Sequence, residues 1–318
     1  SPMNVVTQNP LNAEPSWADF QEPITPHFFN RNHYEFPLVA DELQVCGRVF
    51  SLEQLRSMPV FRHEVTLECA GNGRSYMDPR PPGTAWGWRG VSNAAWTGVP
   101  LAELLKLAPP PEGTVELIFQ GGDVEYARSL PLKDCYAPEI LVAYSMNDQG
   151  LTVAHGGPLR LVVPRYYAMA SVKWLTEIRA TSTPYEGYYQ VEDYQFKPPG
   201  GEVRPVSTML TRALIVSPQE ESQVAGEVTV RGWAWSGFAP VASVRVVVDG
   251  QEVPVELAED RGPFAWRGFS AQVRLDAGKH EVYAVSRDSQ GNEQPMEATW
   301  NSQGYENNSV RRVRFSVL

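Results

Sequence analysis

The stretch VTLECAGNGR, residues 65–74, joins an apolar run to a glycine-rich turn that ends in an arginine. Cys69 stands at the junction, and cysteine acts as a metal ligand or nucleophile only as a thiolate, which nearby cations or backbone N–H groups favour. Gly71 and Gly73 allow the backbone to approach a bound group closely, and Arg74 offers a planar, permanently charged donor for an oxyanion. The stretch therefore predicts a thiolate beside an anion pocket.

The neighbours of Cys69 leave three interpretations of its thiol open. It could be a buried structural cysteine, which is a common place for a free thiol. It could be a catalytic nucleophile, but the spacing of His33, His63 and His155 selects none of them as its base. It could be a ligand of a soft transition metal, and a cofactor would then have to supply the remaining ligands.

Length and composition predict a globular protein of two domains. The 318 residues, 42% of them hydrophobic, suffice for two domains of roughly 100–200 residues each. No run approaches the roughly 18 apolar residues of a membrane span, so no membrane partner is expected. The 27 basic and 37 acidic residues give a net charge of −10, which disfavours nonspecific binding of nucleic acid. An anionic substrate would therefore need a local cluster of arginines.

The cysteines and the N-terminus indicate the compartment. Cys46, Cys69 and Cys135 are too few and odd in number for a disulfide framework, and they lack the CxxC spacing of zinc sites. At least one thiol is therefore expected to be free. No basic region followed by an apolar stretch opens the chain, so no signal peptide is predicted. We expect a cytoplasmic protein, or a periplasmic one if an export signal has been removed.

Changes in composition divide the chain into an arm and two domains. Residues 1–36 are polar and interrupted by prolines, which predicts an extended arm packed on the body. Residues 37–200 mix helix and strand signals in irregular order, which predicts an α+β domain. Its helix signals are a capping box that begins at Ser51 and an apolar stripe that follows Pro100.

The C-terminal part, residues 207–318, predicts an all-β domain after a proline- and glycine-rich linker near residues 197–206. Asp249-Gly250 between two apolar runs is a strong signal for a two-residue hairpin turn. Short runs predict strands at residues 228–235, 244–248, 253–257, 280–285 and 311–317. Strands of this number and length predict an immunoglobulin-like β-sandwich.

Basic residues stand in aromatic or apolar company at several places. They include Arg31, Arg74, Arg160 and Lys173. Each one alone is typical of a surface side chain whose stem packs against the protein. Single basic residues therefore do not identify a site.

Four blocks, in this order, resemble the sulfite oxidase family of molybdenum enzymes. They are CAGNGR (69–74), GVSNAAWTGVPL (90–101), HGGPLRLVVP (155–164) and SVKWL (171–175). In addition, WN (300–301) and GYENN (304–308) resemble the dimerisation domain of that family. The resemblance extends from about residue 24 to the C-terminus. It implies a mixed α+β molybdopterin-binding domain, an immunoglobulin-like domain and a homodimer.

The resemblance also implies a cofactor of molybdenum and molybdopterin, a pyranopterin dithiolene. Cys69 matches the thiolate that ligates molybdenum. Arg31 and Arg74 match arginines of the oxyanion pocket, Trp86 matches its wall, and Tyr194 matches a tyrosine near the reactive oxygen of the metal. Positions that hold the pterin and its phosphate are matched by Phe29, Asn30, Arg31, Asn32, His33, Asp123, His155, Arg160, Ser171, Val172 and Lys173.

One position departs from the family's pattern. Vertebrate sulfite oxidases have a further pocket arginine in the C-terminal domain, where this chain has Gln303. Loss of a charge-assisted hydrogen bond typically costs about 1.5–3 kcal/mol, so we expect weaker sulfite binding or a different preferred anion. Arg311 or Arg312 could fill the gap, since both lie nearby in sequence.

The implied activity is the molybdenum-dependent oxidation of sulfite to sulfate. Electrons would pass to an external acceptor such as a cytochrome, because this chain has neither a CxxCH haem motif nor a segment that resembles cytochrome b5. One alternative is a related molybdenum enzyme that acts on another substrate, such as a sulfane-sulfur dehydrogenase or a nitrate reductase. Another is a non-catalytic binding protein built on the β-sandwich, which leaves the Cys69 block without a purpose.

Overall fold

Strands dominate the structure of this chain. The computed structural model describes residues 3–122 and 124–318, and these contain 23 strands and three short α-helices. The expected fold class, a mixed α+β region followed by a β-sandwich, is confirmed. Within the described ranges, no helix has both the length and the apolar character that a membrane crossing requires.

The N-terminal segment packs on the body through a small hairpin. Strands β1 (Asn4–Thr7) and β2 (Asn12–Glu14) pair in antiparallel fashion. Ala13 and Asn30 then exchange two main-chain hydrogen bonds, of 3.0 and 2.9 Å. This contact fixes the segment that follows β2 and buries Phe28 in a hydrophobic core.

Two five-stranded sheets form the central region. Its elements are β3 (Glu42–Val45), β4 (Arg48–Ser51), α1 (Leu52–Arg56), β5 (Phe61–Glu68), β6 (Val91–Pro100), α2 (Leu101–Leu107), β7 (Glu116–Gly121), β8 (Tyr126–Pro131), β9 (Leu141–Met146), β10 (Gln149–Gly150), β11 (Arg160–Val162), β12 (Leu175–Thr181), α3 (Tyr188–Val191), β13 (Gln195–Phe196) and β14 (Arg204–Pro205). One sheet has the order β10-β9-β6-β5, with β11 also paired to β9. The other has the order β4-β3-β12-β7-β8, and one hydrophobic core joins both sheets to α1 and α2.

Both helices predicted from capping signals are present. The hydroxyl of Ser51 accepts a hydrogen bond of 3.1 Å from the N–H of Gln54, and the Gln54 amide oxygen accepts one of 2.8 Å from the N–H of Ser51. This reciprocal pair satisfies donors that the first turn of α1 leaves without helical partners. Helix α2 begins directly after Pro100 and buries Leu101 and Leu104 in the core.

The C-terminal region is a sandwich of two sheets. Its strands are β15 (Arg212–Ser217), β16 (Gln223–Val224), β17 (Glu227–Trp235), β18 (Val241–Val248), β19 (Gln251–Val253), β20 (Glu256–Leu257), β21 (Arg267–Arg274), β22 (Gly278–Asp288) and β23 (Arg312–Val317). Their orders are β15-β17-β21-β20 and β16-β23-β22-β18-β19. Residues from both sheets form one core rich in valine. The predicted hairpin turn is present, with φ of 49° at Asp249 and 80° at Gly250.

One predicted strand of the sandwich is wrong. Residues 253–257 do not form a single strand, because β19 ends at Val253 and β20 begins at Glu256. The two pieces belong to different sheets, since β19 pairs with β18 and β20 pairs with β21. Pro254, which has no N–H for a ladder, stands at the crossing between the sheets.

The predicted linker near residues 197–206 is part of a small hairpin. Gln195–Phe196 pairs with Arg204–Pro205 in antiparallel fashion as β13 and β14. The guanidinium of Arg204 then forms two hydrogen bonds, of 2.9 and 2.6 Å, with the buried carboxylate of Glu306. The segment between the two large regions is therefore fastened at its C-terminal side.

Candidate active site

A pocket that is partly open to solvent lies between the N-terminal segment, the turn after β5 and the loops around β11. Ten predicted site residues line it. They are Phe29, Arg31, Asn32, His33, Cys69, His155, Arg160, Ser171, Lys173 and Tyr194. The remaining lining residues are Tyr34, Ala70, Tyr126, Ala154, Ala168, Met169 and Trp174. Residues from distant parts of the sequence thus meet in one cavity.

Five predicted site residues are not part of that lining. Asn30 and Val172 are buried beside it, next to lining residues in the sequence. Arg74 and Trp86 are buried behind the thiol. Asp123 lies outside the described residues, so its assignment stays a prediction.

Main-chain bonds fix the turn that carries Cys69. The N–H of Cys69 donates to the carbonyl of Gly90 at 2.8 Å, and its carbonyl accepts from the N–H of Asn72 at 2.9 Å. The thiol is 4% exposed, and burial raises its pKa, whereas the charges of Arg31 and Arg74 act in the opposite direction. A bound metal cation would therefore stabilise the thiolate in this position.

Among the described residues, Cys69 does not belong to a cluster of metal-binding side chains. Within residues 3–122 and 124–318, no group of three or more histidine, cysteine or acidic side chains could hold a metal ion. All three cysteines are free, as expected for at least one of them. A metal at Cys69 would thus need a cofactor for its other ligands.

Two cations, Arg160 and Lys173, also line the pocket. Arg160 donates to the carbonyls of Ser171 and His155 at 3.1 and 3.2 Å. Lys173 donates to the Asn32 side chain and to the Ala154 carbonyl. These acceptors are all neutral.

Arg31, Arg160 and Lys173 lack a carboxylate partner among the described residues. Burial and repulsion by Arg160 and Arg31 hold the pKa of Lys173 well below its usual value. Burial also lowers the pKa of Arg160 to about 10. Buried cations without a counter-charge are costly, so a bound anion would stabilise these side chains.

The glycines of the turn make room for side chains of the protein itself. A Cβ on Gly71 would lie 2.7 Å from the Arg74 guanidinium. Gly73 has φ of 86°, and a Cβ there would lie 2.9 Å from the side chain of Asn307. These two positions make room for the arginine and for the C-terminal domain.

Arg74 is held by both domains. Its Nη1 donates to the carbonyl of Thr84 at 2.9 Å, and its Nε donates to the carbonyl of Gln303 at 3.2 Å. The guanidinium also lies 5.1 Å from the centre of the Tyr305 ring, within the range of a cation–π contact. The position of this cation thus depends on the loop at residues 301–307.

Trp86 packs behind the pocket with an unused donor. Its ring is fully buried and meets Phe29 edge to face, with 6.3 Å between ring centres. Its indole N–H has no acceptor among the described residues. Such buried donors are rare in folded proteins, which is consistent with an acceptor supplied by a bound group.

Tyr194 lines the pocket and forms a hydrogen bond with His33. The hydroxyl of Tyr194 lies 2.7 Å from Nε2 of His33, and Arg31 Nη2 lies 3.2 Å from His33 Nδ1. Burial, with the charges of Arg31, Lys173 and Arg74, lowers the pKa of His33 to about 2. The imidazole is therefore neutral throughout the physiological range.

The pKa of His33 predicts how stability depends on pH in the protein without cofactor. Between about pH 2 and 6.5 the unfolded chain binds a proton at this residue that the folded chain does not. The free energy of unfolding should thus decrease as pH falls below about 6.5, by up to about 1.4 kcal/mol per pH unit from this residue. His33→Gln should lose less stability than the wild type between pH 7.5 and 5, as measured by urea unfolding.

His280 provides a control for which the effect of pH on stability has the opposite sign. Its hydrogen bond to Asp249 raises its pKa, so its contribution is present at low pH and is lost as pH rises through the folded-state value. His280→Gln should therefore lose more stability on acidification than the wild type. Equal acid sensitivity of His33→Gln and the wild type would contradict the environment described for His33.

Both ring nitrogens of His155 already have protein partners. Nε2 donates to the carbonyl of Phe28 at 3.1 Å, and Nδ1 accepts from the hydroxyl of Thr152 at 3.0 Å. Burial lowers the pKa of this ring to about 4, and the Arg160 and Lys173 charges contribute. A pterin that bonds to His155 would thus replace one of these contacts.

Several tyrosines that the sequence did not predict as site residues surround His33. Its ring lies 5.4 Å from that of Tyr126 and 4.7 Å from that of Tyr189, measured between centres. Tyr305 stacks on Tyr194 at 5.2 Å. The chain has 13 tyrosines, but composition does not predict which of them contact one another.

The expected substitute for a missing pocket arginine is not found. Arg311 lies over the Trp17 ring and donates to the carbonyl of Ile215. Arg312 forms an ion pair with Glu281 at 2.7 Å. Neither lines the pocket.

Comparison with known proteins identifies the family. The model of the oxidoreductase molybdopterin binding domain matches residues 29–189, and the model of the Mo-co oxidoreductase dimerisation domain matches residues 204–317. Mouse mitochondrial sulfite oxidase is 32% identical over 99% of this chain and 66% of its own length. Sulfite oxidase of Arabidopsis thaliana is 30% identical over 98% of this chain and 93% of its own length. The chain belongs to the sulfite oxidase family.

The matched domain of this sulfite oxidase family member binds molybdopterin, so its cofactor is molybdenum with molybdopterin. The chain spans about two thirds of the mouse protein, 66% of its length. Its fold is similar to that of the sulfane dehydrogenase SoxCD from Paracoccus pantotrophus, with a TM-score of 0.85 and 23% identity. That match covers 96% of this chain and 84% of the SoxCD chain.

The residues present fit this cofactor. One buried thiol faces the pocket, and the described residues hold no group of three or more histidine, cysteine or acidic side chains that could bind a metal without a cofactor. Arg160 and Lys173 offer charge for a phosphate, and their only described acceptors are neutral. The indole N–H of Trp86 adds a buried donor without an acceptor.

Proposed function

We propose that this chain oxidises sulfite to sulfate in the pocket beside Cys69. The main support is the combination in a single cavity of one buried thiol with cations that have no carboxylate partner in the described part of the chain. Relatives named sulfite oxidase, similar over nearly the whole chain, support sulfite as the substrate. The reaction converts sulfite and water into sulfate, two protons and two electrons.

We propose that the cofactor is held from two sides. Cys69 would ligate the molybdenum, and Arg160 and Lys173 would bind the phosphate. When bound, the cofactor supplies oxygen-atom transfer and accepts two electrons. The remaining positions that would surround the pterin are Phe29, Asn30, Arg31, Asn32, His33, Asp123, His155, Ser171 and Val172.

Arg31 and Arg74 would attract the sulfite anion. Arg31 lines the pocket, and its described acceptors are neutral groups, so its charge is available to an oxyanion. Arg74 is buried behind Cys69 and would act mainly through its field. Trp86 would support the wall behind the thiol.

Tyr194 would orient the reacting oxygen. Its hydroxyl lies 2.7 Å from Nε2 of His33, and Arg31 Nη2 lies 3.2 Å from Nδ1 and 3.3 Å from Nε2 of the same ring. The neutral imidazole would hold the hydroxyl in place beside the substrate.

We also propose a domain assembly, an electron acceptor and a compartment for this chain. Residues 37–200 would form the catalytic domain with residues 1–36 packed on it, and residues 207–318 would form a homodimer. We propose an external one-electron acceptor, such as a cytochrome. We propose the cytoplasm as the compartment, since three free thiols suit reducing conditions.

The decisive experiment measures metal and activity together. Protein from a host that makes the cofactor should contain about one molybdenum per chain and should reduce a dye only when sulfite is added. Sulfane sulfur and nitrate, tested as competing substrates, separate the alternatives within the family. Molybdenum-loaded protein that does not oxidise sulfite would reject the proposed substrate, and protein without molybdenum would reject the site.

A further inference from the structure

The side chain of Gln303 bonds to the main chain on both sides of Tyr194. Its Oε1 accepts from the N–H of Gln195 at 3.0 Å, and its Nε2 donates to the carbonyl of Glu192 at 2.8 Å. Both ends of the amide are thus engaged, and Gln303 is not part of the pocket lining. A contact with substrate is therefore not its role in this structure.

The same residue also holds Arg74. Its main-chain carbonyl accepts from Nε of Arg74 at 3.2 Å. The next residue, Gly304, has φ of 68°, and a Cβ there would lie 2.8 Å from Nε of Arg74. One short segment of the C-terminal domain therefore contacts both Arg74 and the segment around Tyr194.

The loop that carries Gln303 is itself well fixed. The side chain of Asn301 accepts from the N–H of Tyr305 at 3.0 Å and donates to its carbonyl at 2.8 Å. The N–H of Glu306 donates to the carbonyl of Ala70 at 3.0 Å. The loop is thus anchored on the turn that contains the thiol.

Tyr194 needs such support because of its backbone. Its φ is 56°, a left-handed conformation that costs a non-glycine residue about 1–2 kcal/mol. Stacking of Tyr305 holds its ring, but the bonds of Gln303 to Glu192 and Gln195 hold the chain on either side. Tyr194 itself has two further bonds, from its N–H to the Asp193 carboxylate at 2.7 Å and from the N–H of Val206 to its carbonyl at 2.8 Å. Loss of the Gln303 bonds would therefore loosen the flanking residues and let the hydroxyl shift away from His33.

We propose that Gln303 is a positioning residue, which fixes Tyr194 through the main chain at Glu192 and Gln195 and so links the C-terminal domain to the reaction. The inference rests on the proposed function, because that function assigns Tyr194 a part in turnover. Where vertebrate sulfite oxidases have an arginine, the Gln303 amide holds the main chain on both sides of Tyr194 and adds no cation to the pocket.

Gln303→Met tests the proposal, since it preserves length and removes both side-chain bonds while the carbonyl that binds Arg74 remains. We expect kcat for sulfite to fall about tenfold, with KM changed less than about twofold, on loss of two hydrogen bonds. In a Tyr194→Phe background, which should itself lower kcat, the same substitution should change kcat less than about twofold. Ser302→Ala, on the exposed side of the same loop, is the matched control and should match the wild type.

Hydrogen–deuterium exchange provides a readout that does not depend on turnover. The N–H of Gln195 should exchange about tenfold or more faster in Gln303→Met than in the wild type, with or without cofactor, and at the wild-type rate in Ser302→Ala. If Gln303→Met folds poorly, Gln303→Glu keeps an acceptor for Gln195 but loses the donor to Glu192. We expect about a threefold lower kcat for that variant.

Three results would overturn the positioning role. One is unchanged exchange at Gln195 in Gln303→Met, and another is faster exchange with kcat unchanged in either Gln303 variant. The third is an equal loss of kcat with and without the Tyr194 hydroxyl. Failure of the proposed function is a different result, since the molybdenum-loaded wild type would then oxidise no sulfite or Tyr194→Phe would match the wild type.

Discussion

Replacement of Cys69 by serine is expected to abolish sulfite oxidation while the fold remains intact. Serine has nearly the same size, but its hydroxyl is a hard and weakly acidic ligand in place of a soft thiolate. We expect turnover to fall by at least about a thousandfold, because the lost group is the proposed protein ligand of the metal. Steady-state dye reduction, molybdenum content and the thermal midpoint should be measured on the same preparation.

Cys46→Ser is the matched control for this prediction. Cys46 is a free cysteine that is only partly buried and does not line the pocket, so its serine variant should retain activity and metal. Sulfite oxidation at the wild-type rate by Cys69→Ser would remove the thiol from the site. A large drop in thermal midpoint would instead indicate a structural thiol, which the sequence left as one interpretation.

The second large effect is expected at an ion pair between the domains. Arg212 donates to the carboxylate of Glu68 at 2.6 Å, and both side chains are almost fully buried. The carboxylate also accepts from Asn72 and from the indole N–H of Trp235, at 3.0 and 3.1 Å. Arg212→Met should therefore destabilise the protein by about 3–5 kcal/mol, because it leaves Glu68 as a buried charge without its cation.

Urea or thermal unfolding would measure this loss, and a double variant refines it. Glu68→Leu combined with Arg212→Met should recover part of the stability, since no unpaired charge remains. Arg274→Met removes a comparable pair with Glu227 whose side chains are 82% and 77% exposed, so its cost should be about 0–1 kcal/mol. Equal costs for the buried and exposed variants would contradict the role given to burial.

The sequence predicted the architecture where signals were local. The capping box at Ser51, the proline before α2 and the hairpin at Asp249-Gly250 each specify a turn through nearby residues, and all three are confirmed. The strand expected at residues 253–257 was wrong because its two ends pair with different sheets. That choice depends on partners far away in the chain.

The residues of the pocket were predicted from family resemblance, not from local patterns. Blocks of family resemblance pointed to Cys69, Arg160 and Lys173, whereas composition and spacing alone left the thiol with three interpretations. The sequence did not predict the tyrosines around His33 or the hydrogen bonds of the Gln303 side chain. Their roles arise from the left-handed backbone at Tyr194 and from bonds across more than 100 positions, which no local pattern encodes.

The contacts of the loop at residues 301–307 limit how this chain could exchange parts with its relatives. Glu306 and Asn307 bond to the main chain of the turn at Ala70 and Gly73, so the second domain completes the first one's active-site turn. The boundary near residue 200 is therefore not a joint at which halves of two relatives can be recombined freely. A chimera would have to carry the turn and the loop from the same parent.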